Sequence, residues 1–179
     1  SLLDLDGQEL VLDADADTTI HVSTDDQIDF KIVGTDFAKM SDQTLTLTSA
    51  TASRPGLLLL DTNADANPPF LRFQKDSASP ADNDEVGVVQ FYADDDGGNV
   101  FVPSQIKVVA TDVSNGSEDG KMTISTTAGG SLTDTLVLES GNTTVSGTLA
   151  STGVLTANAG VVVDNITIDG TEIDLSSGD

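Results

Sequence analysis

Alternation of apolar and polar residues runs through much of the chain and predicts β-strands. In QIDFKIVG (27–34), the apolar residues Ile28, Phe30 and Ile32 alternate with polar ones, which is the two-residue period of a strand with one wet face. Similar runs are TLTLT (44–48), VVQFYA (88–93), QIKVVATD (105–112), KMTISTT (121–127), DTLVLES (134–140) and NITID (165–169). Turn-forming clusters such as DADAD, DDDGGN, SNGSEDG and AGG separate them. No stretch keeps a helical period beyond two turns, so the pattern predicts an all-β protein.

A second, longer period is present towards the carboxyl end. Glycines occur at positions 141, 147, 153 and 160, and an aliphatic residue follows two positions after each of the last three. A period near six, with small residues between apolar anchors, is typical of a β-solenoid or a fibrous β-shaft. The spacing leaves both alternatives open, a solenoid within one chain and a spiral of three chains.

These patterns divide the chain into three parts. Residues 51–140 hold all five prolines, the only Tyr and most of the Phe, and they are predicted to form a compact, sandwich-like β-module. Residues 1–50 and 141–179 are predicted to be repetitive β-segments on either side of it. The large side chains of the module are expected to form its core; these are Phe70, Phe73, Phe91, Tyr92 and Phe101.

The repetitive segments carry too few apolar residues to be stable alone. One aliphatic residue every few positions cannot offset the entropy lost when the chain is ordered, so such segments must stack or intertwine with copies. The leading hypothesis is an elongated homotrimer. Residues 6–12 and 169–175 share the pattern D-G-x-E-[L/I]-x-L, which indicates tandem assembly of like units. Because the chain starts without Met and stops within a pattern, it is expected to be a fragment or a processed product.

Charge excludes several classes of partner. The 179 residues include 30 Asp and Glu against seven Lys and Arg, for a formal net charge of -23. Nucleic acids and anionic membrane surfaces both need a basic face, so neither is an expected partner. There is no cysteine, which excludes disulfides and thiolate chemistry. No apolar run approaches membrane-spanning length, and no membrane insertion is expected.

The abundance of acidic residues suggests calcium-binding loops, but the candidate loops lack residues that such loops require. Residues 13–17 have the D-x-D-x-D opening of an EF-hand loop, but Thr18 stands where Gly is needed and Thr24 where a bidentate Glu is needed. The similar opening at residues 61–65 fails at Ala66 and Arg72. We therefore expect solvated acidic turns, with no metal-ligating residue and no cofactor.

Catalytic constellations are also missing from the sequence. The single histidine, His21, lies between Ile20 and Val22, which are predicted to face inward, so that His21 itself is expected on the exposed face with Thr19 and Ser23. The carboxylates of SPADNDEVGVVQFYADDDGGN (79–99) follow no ligand spacing and are interpreted as two turns that bracket a strand; they are Asp82, Asp84, Glu85, Asp94, Asp95 and Asp96. No catalytic residue is assigned, and the chain is not expected to be an enzyme.

The order of turns and strands in the middle region resembles a β-module of bacteriophage tail-fibre and related virion proteins. The matching pieces are S-P-A-D-x-D at 79–84, G-x-x-x-F at 87–91, an acidic Gly-containing turn at 94–98, E-D-G at 118–120, T-[DE]-x-L-x-L at 133–138 and G-N-x-x-x-x-G at 141–147. The flanking stretches TLTLTSA and VVVDNITIDGTEIDLSSGD resemble the low-complexity β-repeats of marine phage fibres.

This resemblance implies a structural role. The chain is expected to be part of a tail fibre at the virion surface, where it spaces or presents a tip that binds the host receptor. Its implied partners are copies of itself in a homotrimer, other virion proteins and a host cell-surface glycan or receptor. The alternatives are a capsid-attached head fibre or decoration protein, and a carbohydrate-binding or depolymerising domain.

Overall fold

The computed structural model describes residues 8–156 and 162. This part of the chain contains strands and no helix, which confirms the all-β prediction. The strands are β1 (Leu10–Val11), β2 (Thr19–His21), β3 (Gln27–Ile32), β4 (Thr35–Ser41), β5 (Thr44–Leu47), β6 (Asp84–Asp94), β7 (Val100–Asp112), β8 (Asp119–Ala128), β9 (Ser131–Glu139) and β10 (Asn142–Val145). They form two five-stranded antiparallel sheets, β1 to β5 and β6 to β10, each in sequence order.

The chain divides into two compact units, residues 1–71 and 72–179. The first unit contains the sheet β1–β5, and the second contains the sheet β6–β10. In its described residues the second unit has one sheet, so the sandwich-like packing predicted for residues 51–140 is not seen there. The predicted boundaries at 50/51 and 140/141 stay predictions.

Most predicted strands are present, with bounds set by their turns. The runs at 27–34, 44–48, 88–93, 105–112, 121–127 and 134–140 correspond to β3, β5, β6, β7, β8 and β9. Strand β4 was missed, because its sequence TDFAKMS mixes a short apolar run with charges. The run at 165–169 and most of the glycine period after residue 156 lie outside the described residues.

Four of the connections are two-residue hairpins in which both residues have positive φ. They lie at Val33–Gly34, Asp42–Gln43, Gly129–Gly130 and Ser140–Gly141. Positive φ at both central positions is the geometry of a type I′ turn, whose twist matches the twist of the flanking strands. Glycine satisfies it without steric cost, which explains why the AGG cluster predicted a turn correctly.

Each sheet has one mainly apolar face, as the alternation predicts, and in the second sheet the opposite face mixes polar residues with Val88, Val109 and Val137. In the first unit, the cross-strand pairs Ile20–Phe30, Phe30–Ala38 and Ala38–Leu47 run across one face. In the second unit, Val89–Ile106, Ile106–Ile124 and Ile124–Leu136 do the same. Strand partners on one face lie within contact distance, so these rows are continuous apolar surfaces.

The prediction of which face is buried was wrong. In β3 the polar residue Asp29 is 0% exposed, whereas its apolar neighbours Ile28 and Ile32 are 45% and 49% exposed. In the second unit Thr123 and Ser125 are likewise covered, at 2% and 0%. Small polar residues at the centre of a sheet are shielded by longer side chains on the strands beside them. The apolar face stays open because no second layer of described residues covers it.

Aromatic residues of the middle region are exposed, which contradicts the predicted core. Phe70, Phe73, Phe91, Tyr92 and Phe101 are 71%, 51%, 53%, 62% and 40% exposed. Of these, Phe73 makes a close contact with the sheet: a Cβ added to Gly87 would lie 2.9 Å from the Phe73 Cβ. The absence of a side chain at Gly87 therefore allows Phe73 to lie close to the backbone of β6.

Candidate functional site

The carboxylates of residues 79–99 take part in the turns around β6 and in ion pairs at the start of this strand. Asp84 pairs with Lys75 at 2.6 Å and accepts the backbone N–H of Ala81 at 3.1 Å. These contacts hold the pKa of Asp84 below its usual value, the Lys75 hydrogen bond being the largest cause. Asp82 accepts the N–H of Val113 at 3.0 Å, and Glu85 pairs with Lys107 at 3.1 Å.

The second acidic turn, between β6 and β7, is organised by a single carboxylate. Asp95 Oδ1 accepts the backbone N–H groups of Gly97 at 2.9 Å and Asn99 at 2.8 Å. The hydrogen bond from the Asn99 N–H is the main cause that lowers the pKa of Asp95. Asp94 ends β6 beside this turn. Two turns do bracket a strand here, but the strand is longer than interpreted, because Asp84, Glu85 and Asp94 lie within β6.

The acidic loop before β2 brings three carboxylates together at the surface. Asp13, Asp15 and Asp17 each have an oxygen within 4.8 Å of the others. Asp13 Oδ1 accepts the N–H of Thr18 at 3.3 Å, and the pKa of Asp13 is lowered by its hydrogen bonds to Thr18. The pKa of Asp17 is raised, first by loss of hydration and then by the charges of Asp15 and Asp13. This is an exposed acidic turn, as the sequence predicts.

A different cluster lies on the polar face of the first sheet and was not predicted. It consists of His21 on β2, Asp29 on β3 and Asp36 on β4, with ligand-type atoms all within 4.8 Å of one another. His21 lies directly opposite Asp29 on the neighbouring strand. Asp36 lies opposite Lys31, which follows Asp29 by two residues on β3. Three adjacent strands therefore direct these side chains to one place.

The expected surface position of His21 is wrong. Its side chain is 12% exposed, while that of its neighbour Val22 is 58% exposed. His21 lies in strand β2, and the face of the sheet that it shares with Asp29 is the covered one. His21 Nε2 lies 3.7 Å from Asp29 Oδ2 and 3.8 Å from Asp36 Oδ1.

Asp29 is the most buried charged group of the cluster. Its Oδ2 accepts hydrogen bonds from the hydroxyl and backbone N–H of Ser23 and from the Gln27 side chain. The hydrogen bond from the Ser23 hydroxyl is the largest cause that lowers the pKa of Asp29, and the bond from Gln27 lowers it further. Together they outweigh burial, which raises this pKa. The carboxylate is thus held in its ionised form in one fixed orientation.

Lys39 is the cation nearest to the cluster. Its Nζ lies 4.0 Å from Asp29 Oδ1 and 3.9 Å from Asp36 Oδ2, and its side chain is 39% exposed. Both distances exceed the hydrogen-bond range, so the ammonium partly neutralises the two carboxylates by Coulomb attraction without a direct hydrogen bond.

A scan against family models and searches of curated proteins and solved structures give no match to this chain. Among the residues that the structure describes, no helix is long and apolar enough to cross a membrane.

Proposed function

We propose that the chain is a structural segment of a phage virion fibre, part of a tail fibre, which works as a homotrimer whose sheets bury their apolar faces against other copies. The observation that carries the proposal is the open apolar face of each sheet. Within residues 8–156 and 162, the only buried hydrophobic side chains are Ala38 at 8% and Val109 at 7% exposure.

Among the described residues, neither sheet has the buried apolar core that usually stabilises a folded chain. Burial of apolar surface is the main favourable contribution to folding, and a chain of this size ordinarily buries a contiguous core. Here the rows Val89–Ile106–Ile124 and Ile28–Met40–Leu45 form continuous strips on single sheets. Val89, Met122 and Leu138 are each 38% exposed, and Leu45 is 61% exposed. Association of copies would remove these surfaces from water.

The chemistry of the described surface supports a passive, mechanical role. The carboxylates of residues 79–99 described above are used in turns and ion pairs with Lys75 and Lys107. Hydrogen-bonded strands joined by short hairpins make a stiff element suited to spacing. The segment would then hold a receptor-binding tip away from the particle, contacting other virion proteins and, through the tip, a host glycan or receptor.

The first test changes the apolar face and measures the oligomeric state. Val89→Lys places a charge in the strip of the second sheet, and we expect it to convert a trimer into monomers, as measured by light scattering coupled to size exclusion. Val154→Lys makes the same chemical change at a residue that is 92% exposed and outside both sheets, and it should leave the trimer intact. A wild-type chain that is monomeric at micromolar concentration would contradict the proposal.

The location in the virion needs a separate test. Antibodies raised against the chain should label the tail fibres of particles of the virus that encodes it, as seen by immunogold electron microscopy. Label on the capsid would instead support the head-fibre or decoration alternative. No label on intact or disrupted particles would refute a virion role.

A further inference from the structure

We propose that His21, Asp29 and Asp36 form a binding site for a divalent transition-metal ion such as Zn²⁺. One imidazole nitrogen and two carboxylate oxygens form a mixed donor set that suits such an ion. The chain has a single histidine, but two carboxylates complete the set. The site does not depend on the proposed fibre function.

Spacing is the first argument. The distances of 3.7 and 3.8 Å from His21 Nε2 to the two carboxylate oxygens are too long for hydrogen bonds. Zinc bonds of about 2.0 to 2.2 Å in a tetrahedral arrangement place ligand atoms about 3.4 Å apart. The two distances from His21 Nε2 therefore need to shorten by only a few tenths of an ångström to hold an ion, and the two carboxylate oxygens already lie within 4.8 Å of each other. A direct imidazole–carboxylate hydrogen bond would need a larger movement.

The second argument comes from an atom that is buried and unsatisfied. Asp36 Oδ1, the oxygen that faces His21 Nε2, is buried without a hydrogen-bond partner among the described residues. A buried acceptor left unpaired costs about 1–3 kcal/mol, so such an atom calls for an explanation. A bound cation would satisfy Asp36 Oδ1 directly.

The third argument is the support around one ligand. Ser23 and Gln27 hydrogen-bond to the Asp29 carboxylate and fix its orientation, which is a role that outer residues have around metal ligands. A metal bound at Oδ2 would replace one of the three hydrogen bonds that this oxygen accepts. The three strands are joined by backbone hydrogen bonds, so the ligands lie on a rigid element. Asp13, Asp15 and Asp17 lack these features, because they are exposed side chains of a loop, and they carry no proposal.

A substitution of Lys39 can distinguish a metal site from an ion-pair network that is only structural. Its ammonium lies 3.9–4.0 Å from both carboxylates and competes with a cation for them. Because its side chain is partly exposed, it can swing into solvent when a metal binds. If the cluster is a metal site, Lys39→Gln should increase Zn²⁺ affinity several-fold. If the cluster is only an ion-pair network, Lys39→Gln should leave Zn²⁺ binding undetectable.

The test uses the full chain, stripped with EDTA and titrated with ZnCl₂ in a calorimeter. We expect one saturable Zn²⁺ per chain, with affinity lowered at least tenfold by His21→Gln and by Asp36→Asn. Asp15→Asn removes one carboxylate from the exposed loop and is the matched control; its affinity should equal that of the wild type. Circular dichroism checks that each variant keeps its sheets.

Because His21 is the only histidine of the chain, NMR gives a direct readout. Zn²⁺ should shift the single set of imidazole ¹H–¹⁵N resonances, because coordination changes the electronic environment of the ring. The proposal is overturned if the imidazole resonances do not move at saturating Zn²⁺, or if Asp15→Asn weakens binding as much as Asp36→Asn. It is also overturned if Lys39→Gln fails to increase the affinity.

Discussion

At the scale of single residues, the molecule differs most from its sequence pattern at Asp29. A charged residue in an alternating strand is expected to face water, yet its side chain is fully covered. It is tolerated because Ser23, Gln27 and Lys39 supply hydrogen bonds and charge. Burial of a carboxylate is costly unless such partners are present. Gln27 lies two residues away on β3 itself, but Ser23 lies in a loop and Lys39 on a neighbouring strand, and the sequence does not show that these two approach Asp29.

Asp29→Asn should lower the free energy of unfolding by about 1–3 kcal/mol at pH 7, because a charge-assisted hydrogen-bond acceptor is lost. The folded-state pKa of Asp29 is lowered, so its stabilising effect is present above the unfolded pKa of about 3.9 and is lost as the pH falls through the folded value. The difference from wild type should therefore shrink below about pH 3.9.

Urea unfolding followed by circular dichroism at pH 7 and pH 3, in EDTA, measures both effects. Asp25→Asn, an exposed carboxyl in the loop that precedes β3, is the control and should change stability little. An equal loss for Asp29→Asn at the two pH values would rule out the assigned charge effect.

At the scale of elements, the hairpins decide how the strands meet. Val33 begins the β3–β4 hairpin with φ at 52°, a conformation that is strained for a β-branched residue. Its side chain is 74% exposed, so little packing offsets this strain. The pairing of β3 with β4 fixes their register, and Val33 has to adopt the positive φ that a two-residue turn in this register requires.

Val33→Asn creates an Asn-Gly pair, the preferred sequence of a type I′ turn, and should stabilise the first unit by about 1 kcal/mol. The midpoint of thermal unfolding, followed by circular dichroism, is the measurement. Val22→Asn, which removes an exposed valine outside any two-residue hairpin, is the matched control and should not stabilise. A stabilisation that is the same in both variants would show that loss of exposed valine, not turn geometry, is responsible.

The sequence predicted the strands better than it predicted their environment. The two-residue period depends on backbone geometry alone, so the locations of β3 and β5 to β9 were predicted well. Burial depends on which layer covers a face, and nothing in the period of Ile28 and Asp29 specifies it. The exposed Phe91 and Tyr92 were assigned to a core for the same reason. The cluster of His21 and Asp36 could not be found because its members belong to separate strands whose register is a tertiary property.

At the scale of the whole molecule, charge opposes the association that the open faces favour. Each copy has a formal net charge of -23, so a trimer brings many like charges together. Salt screens such repulsion, since the Debye length falls from about 30 Å at 0.01 M to about 10 Å at 0.1 M. The apolar contribution does not weaken over this range.

The proposed trimer should therefore become more stable as NaCl rises from about 10 mM to about 500 mM. Analytical ultracentrifugation across a concentration series gives the dissociation constant at each salt level. Val89→Lys should stay monomeric throughout, because its defect lies in the apolar strip. Dissociation of the wild-type trimer with added salt would mean that ion pairs, not apolar faces, hold the copies together.

The sequential order of strands in both sheets also affects how the protein is made. Every strand pairs with its neighbour in sequence, so each sheet can be completed from contacts that are close along the chain. Proteins rich in local contacts fold quickly, because little loop entropy is lost before each contact forms. Each hairpin can therefore form soon after it leaves the ribosome, and for the proposed homotrimer the slow step would be the encounter of separately synthesised chains.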